Sequence, residues 1–123
     1  MSRQSKVRRQ VERRRRLVIL ESPYAGDIEA NVSYARACVR DSLARYEAPI
    51  ASHLLYTQPG ILKDADPAER AQGIAAGLAW LHVANASVVY VDRGISTGMA
   101  NGIRAAQAIG IAVEQRSLGA PWS

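Results

Sequence analysis

Two carboxylates in this sequence follow directly on apolar runs, and both are candidates for chemistry. Glu21 closes the run Leu17–Leu20 and Asp92 follows Ser87–Val91, so each sits where a buried strand gives way to a turn. A carboxylate so placed loses water unless it meets a partner or a ligand, which makes Glu21 a candidate catalytic group and a salt bridge to Arg93 its structural alternative. Asp92 can bind the hydroxyls of a sugar, or simply cap its turn. His53, just after the short stretch Ala48–Ser52, can act as a general acid or base, or be held by backbone carbonyls. Tyr24 can stack on a flat ring, or lie exposed on its turn. Asp27 is most simply a helix cap that can also touch a ligand.

The stretch from Ser87 to Ile103 organises these residues. Its strand ends in Asp92, Arg93 and Gly94, and a helix follows, with Ser96 or Thr97 as cap and Met99, Ile103 and Ala106 at helical spacing. Gly98 allows the backbone to approach a ligand closely, and the first N–H groups of the helix and the positive end of its dipole face outward. These features predict a small-molecule site, with Ser96 and the backbone around Gly98 meeting an anionic or sugar-like group. Glycines at 94, 98 and 102 match neither the dinucleotide fingerprint nor a Walker A loop, and no cluster of metal-ligating residues is visible. No cofactor and no metal are therefore expected. Gly102, inside the helix, costs stability relative to Ala and reads as a point of close helix–sheet packing.

The elements that must hold this site alternate along the chain. Strand Leu17–Leu20 ends in the turn Glu21–Asp27, where Pro23 and Gly26 stop it; a helix from Asp27 to about Arg45 follows, with Ile28, Val32, Ala35, Val39 and Leu43 on one apolar face. A second strand, Ala48–Ser52, leads into a long loop, His53–Ala65, the kind of segment that tends to carry function. Asp66, Pro67 and Glu69 begin the next helix, whose buried face is read as Ile74, Leu78 and Leu81. The third strand and helix are those of the central stretch; Gly110 ends the helix, and Ile111–Val113 open a fourth strand. From Ser117 onward only Trp122 carries a signal, as a ring that packs on the body or on another subunit. Right-handed crossovers make this a parallel sheet of order 2-1-3-4 with helices on both faces. The switch point then lies between strands one and three, placing the Glu21–Asp27 turn beside the Asp92–Gly98 turn, with residues 53–62 as a lid.

Charge divides the 123 residues in two. Residues 1–16 carry eight Lys and Arg against Glu12, whereas the remainder holds 8 basic and 10 acidic side chains, so the net +5 belongs to an arm. The arm, read as disordered or marginally helical, is either a phosphate-binding segment or a solubilising tail; residues 17–123 form a single α/β domain. No apolar run spans a bilayer, and the arm lacks the apolar core of a secretory signal, so a cytoplasmic protein without membrane contact is expected. The single cysteine, Cys38, reads as a small buried hydrophobe.

In order, the motifs Ser22-Pro23-Tyr24 with Gly26-Asp27, Asn31, His53-Leu54 and Ile95-Ser96-Thr97-Gly98-Met99 resemble the nucleoside 2-deoxyribosyltransferase-like superfamily, in particular its small bacterial and phage members. The resemblance spans about residues 17–116. It implies a Rossmann-like, flavodoxin-like fold, a nucleoside or nucleotide ligand held by Ser22, Tyr24, Asp27, His53, Ser96, Gly98 and Met99, and a homo-oligomer whose subunits complete each other's sites. The chain departs from the pattern where it matters most: the helical Glu that serves as nucleophile in the transferases is matched by Gly102, and Ala86 stands where an Asp commonly opens strand three. Glu21 appears where relatives carry a small residue. Three functions compete: cleavage or transfer of an N-glycosidic bond with Glu21, assisted by Asp92, in place of the missing acid; binding of a nucleotide-like ligand without turnover; and association with nucleic acid through residues 1–16.

Overall fold

The computed structural model describes residues 14–122; residues 1–13, most of the basic arm, lie outside the described residues. The elements are β1 (Arg16–Glu21), α1 (Ile28–Ala44), β2 (Glu47–Ile50), a one-turn α2 (Ser52–Leu55), α3 (Pro67–Ala79) continued by a 3-10 turn (Trp80–His82), β3 (Ala86–Tyr90), α4 (Thr97–Ala108) and β4 (Ala112–Arg116). All pairings are parallel and the strand order is β2-β1-β3-β4. This is the doubly wound, Rossmann-like α/β arrangement expected from the alternation of elements.

Side chains alternate across the sheet, so successive residues of β1 and β3 serve opposite layers. Val18, Leu20, Ala86, Val88 and Tyr90 pack with Tyr34 and Cys38 of α1; on the other face Ile19 meets Leu81 and Ala106. β3 is buried along its whole length. Such continuous burial is what a central parallel strand requires.

Four sequence expectations shift. β1 begins one residue early, because the Arg16 guanidinium reaches Glu47 and Glu114 and joins the domain. The buried face of α1 is Asn31, Tyr34, Ala35, Cys38 and Ser42, while Ile28 and Leu43 at its ends are about half exposed. Apolarity alone misplaced that face, since Asn31 and Ser42 are drawn inward by hydrogen-bond partners. On α3, Leu81 is buried just beyond the helix end, but Ile74 and Leu78 are 54% and 39% exposed. They face an open cavity instead of the core. The segment read as a loop from His53 begins with α2, in which Leu54 and Leu55 donate backbone N–H groups to the Ala51 carbonyl.

Candidate functional site

At the carboxyl ends of β1 and β3 the two turns are tied together by one side chain. The Asn31 amide donates to the carbonyls of Tyr24 and Ala25 at 3.0 and 3.1 Å, and its oxygen accepts from Arg93 Nε at 3.0 Å. Asn31 is buried, so a short polar residue inside α1 fixes the relative position of both turns. The N-terminus of α4 is set by Ser96, whose Oγ accepts from Met99 N at 3.2 Å.

Between these turns, α2 and α3 lies a cavity of about 430 Å³. It falls within the roughly 300–1,000 Å³ typical of small-molecule sites. Glu21, Ser22, Tyr24, His53, Ser96, Gly98 and Met99 all border it, as does Gly102. The switch-point placement read from the sequence thus brings seven of the nine candidate residues to one cavity.

Glu21 has no hydrogen bond or ion pair among the described residues, and burial pushes its carboxyl up to about 7. Its carboxylate lies against the Cα of Gly102: a Cβ there would stand 2.7 and 2.8 Å from the two oxygens. Arg93, the structural partner considered from sequence, is engaged with Asn31 instead. His53 Nε2 lies 2.6 Å from the hydroxyl of buried Ser22, and desolvation lowers its pKa to about 4. At neutral pH the pair is an uncharged serine–imidazole contact on the wall of the same cavity.

Asp92 and Asp27 are not brought into the cavity. Asp92 accepts from the Tyr34 and Ser117 hydroxyls, both at 2.6 Å, and from the N–H groups of Leu118 and Gly119 at 2.9 Å. Desolvation works to raise its pKa, but these donors outweigh it and hold the carboxylate well below its usual range. A carboxylate so fully engaged anchors the chain after β4, where Trp122 packs on the Tyr34 ring at 5.4 Å between centroids. Its proposed part in catalysis is corrected accordingly. Asp27 caps α1 through Ala30 N and is exposed.

The segment 53–62, read from sequence as a lid, supplies Tyr56 to the outer wall, but the part of that wall from Asp64 to Leu78 was missed. Tyr56, Asp64, Glu69, Arg70, Ile74 and Leu78 border the cavity, and the signal for them is the pair Gly73 and Gly77, one helical turn apart. A Cβ on Gly77 would collide with Ser52 of α2, and one on Gly73 would press on Leu62 at 3.3 Å, so these glycines let the 52–62 segment lie close on α3. The wall also alters the expected ligand charge: Glu21, Asp64 and Glu69 face it against the single guanidinium of Arg70. An anion would depend on Arg70 and on the first N–H groups of α4. Among the described residues no group of three His, Cys, Asp or Glu is placed to hold a metal ion.

No curated protein matches the chain in sequence. One family model, described as Domain of unknown function (DUF7768), matches residues 16–116. Those limits are the first residue of β1 and the last of β4, so the matched region is the whole sheet with the helices between its strands and every residue that borders the cavity. On that match the chain belongs to the DUF7768 family.

Proposed function

We propose that the protein holds a nucleoside or nucleotide in this cavity and cleaves or transfers its N-glycosidic bond, with Glu21 facing the anomeric carbon. The observation that carries this reading is the place of the Glu21 carboxylate, directly over Gly102. Gly102 matches the position of the transferase nucleophile in the superfamily that the motifs resemble. Delivered from β1 instead of α4, an acid reaches the same wall of the cavity.

The chemistry follows from that placement. As the bond between sugar and base lengthens, positive charge grows on the anomeric carbon, and an adjacent carboxylate stabilises it or closes on it to form a glycosyl ester. The bonding pair leaves with the base, and water or a second base then attacks the same carbon. Only the ionised carboxylate can do this. With its pKa near 7, Glu21 becomes competent as pH rises through neutrality. Tyr24 offers a ring for stacking, Ser96 and Gly98 offer donors to the sugar, and Ile74 and Leu78 offer an apolar wall to the base. The same resemblance supports a homo-oligomer, and no helix among the described residues is long and apolar enough to cross a membrane.

A second reading, ligand binding without turnover, is favoured by one observation. With Asp92 bound to the C-terminal segment, no second carboxyl group from a strand end reaches the cavity to protonate the departing base. A thermal-shift screen of nucleosides and nucleotides, followed by chromatography of the hits, separates the two. Free base released by the parent and not by Glu21→Gln supports the enzyme; stabilisation without release supports the binder, and no stabilisation by any nucleoside or nucleotide refutes both.

A further inference from the structure

Cleavage of an N-glycosidic bond has two ends, and the cavity equips only one of them. A common nucleobase leaves as an anion unless an acid gives it a proton, and a positioned acid contributes about 10²–10⁴-fold to such a step. The groups at the strand ends do not supply that proton. Asp92 is held by Ser117, Leu118 and Gly119 outside the cavity. His53 Nε2 lies 2.6 Å from the Ser22 hydroxyl, and burial keeps the ring neutral near pH 7. Glu21, over Gly102, acts on the sugar only when ionised. The other two acids, Asp64 and Glu69, stand on the partly exposed outer wall and not on the strand-end turns, and Glu69 also accepts from Lys63 N at 3.4 Å.

What the cavity does not offer as a proton donor it offers as attraction for a cation. The carboxyl groups of Glu21, Asp64 and Glu69 border it against the guanidinium of Arg70, which is exposed, and the rings of Tyr24 and Tyr56 border it as well. Carboxylates and aromatic faces both attract a flat cationic ring. Resting on the glycosidic reading above, we infer that the substrate is a nucleoside whose base already carries a positive charge, as an N-alkylated purine or a pyridinium does. Such a base needs no acid. As the bond from C1′ to nitrogen breaks, its electron pair neutralises the ring, the base leaves uncharged, and positive charge passes to the sugar carbon that faces Glu21. Water then adds to that carbon and gives its extra proton to solvent, so the products are free sugar, neutral base and one proton.

The test is chromatographic assay of base release at neutral pH from 7-methylguanosine and nicotinamide riboside, and from adenosine, guanosine, cytidine and uridine, each in its ribo and 2′-deoxyribo form. Glu21→Gln is the blank for spontaneous loss. The cationic substrates should release base faster than any neutral one by about 100-fold or more, the contribution of the acid they do without. Asp64→Asn combined with Glu69→Gln, which keeps both shapes and the acceptor for Lys63 N, should raise KM for the cationic substrates by about fivefold or more. Release confined to the cationic substrates and lost in Glu21→Gln supports the inference. Comparable release from a neutral nucleoside, or an unchanged KM in the double variant, overturns it and leaves the glycosidic reading standing. Release from no nucleoside beyond the blank overturns both.

Discussion

The carboxylate of Glu21 occupies the space that any side chain at residue 102 would need, so the strand residue and the bare helix position are two halves of one feature. A Cβ on Gly102 would fall within 2.9 Å of three Glu21 atoms, and Gly102 is buried. The glycine read from sequence as close helix–sheet packing is therefore packed against an acid. The absence of a side chain on α4 is what allows β1 to end in Glu.

Glu21→Gln should abolish most turnover while changing ligand affinity little, with kcat lowered by at least 100-fold. Its effect on stability has the opposite sign and depends on pH. Because burial raises the folded pKa from 4.5 to about 7, the folded chain holds this proton more tightly than the unfolded chain, and stability falls as pH rises across that interval. The variant should match the parent at pH 4 and exceed it at pH 8 by on the order of 2 kcal/mol, as measured by urea unfolding at the two pH values.

Gly102→Ala should push the Glu21 side chain aside and cost about 1–3 kcal/mol by overpacking. Its loss of activity should not add to that of Glu21→Gln, since both act on one carboxylate. Activity of the two single variants and the double variant forms the cycle that checks this. Additive losses would mean that Gly102 acts elsewhere.

His53 gives the acid side of the stability profile a distinct origin. Its folded pKa of about 4 lies below the ordinary 6.5, so below pH 6.5 the unfolded chain takes up a proton that the folded chain refuses, and stability declines until about pH 4. His53→Gln, which keeps a donor and an acceptor beside Ser22, should flatten the profile between those pH values. Denaturant midpoints at pH 4.5 and 7 would show it.

Asp92→Ala should free the chain after β4 without touching the cavity directly. Four donors lose their acceptor, and the cost should be on the order of 3 kcal/mol, with Trp122 shifted toward the emission of a solvated indole. The parent should keep this anchor in mild acid. Its low folded pKa means that the stabilisation is complete above the ordinary carboxylate pKa and is lost only as pH falls toward the folded value.

How much of this was legible follows from what each residue responds to. The sheet order was readable because alternating elements and right-handed crossovers leave few alternatives. Six of the seven cavity residues were readable because they sit on, or at the helix start just after, the two turns that topology forces together; the seventh, His53, follows β2, the neighbour of β1 in the sheet. Asp92 was misjudged because its partners, Ser117 to Gly119, come from a segment with no periodicity and are distant in sequence. The outer wall failed for a related reason: Ile74 and Leu78 look like core residues, and only the packing of residues 52–62 on Gly73 and Gly77 shows that they line a space. Asn31 and Ser42 displaced the expected face of α1 because a polar group with partners can be buried as readily as an apolar one.

Glu47 ties the timing of folding to the end of the chain. Its side chain is 4% exposed, and its closest ionic partner is Arg116, itself 8% exposed and the last residue of β4. β1, β2 and β3 all precede that guanidinium in the sequence. Until it arrives, a folded sheet would enclose a carboxylate held only by Arg16 at 3.4 Å and the Ser42 hydroxyl at 2.8 Å, without its nearest counter-charge. Chains truncated before Arg116 should therefore remain protease-sensitive, and protection should appear in one step once Arg116 is included.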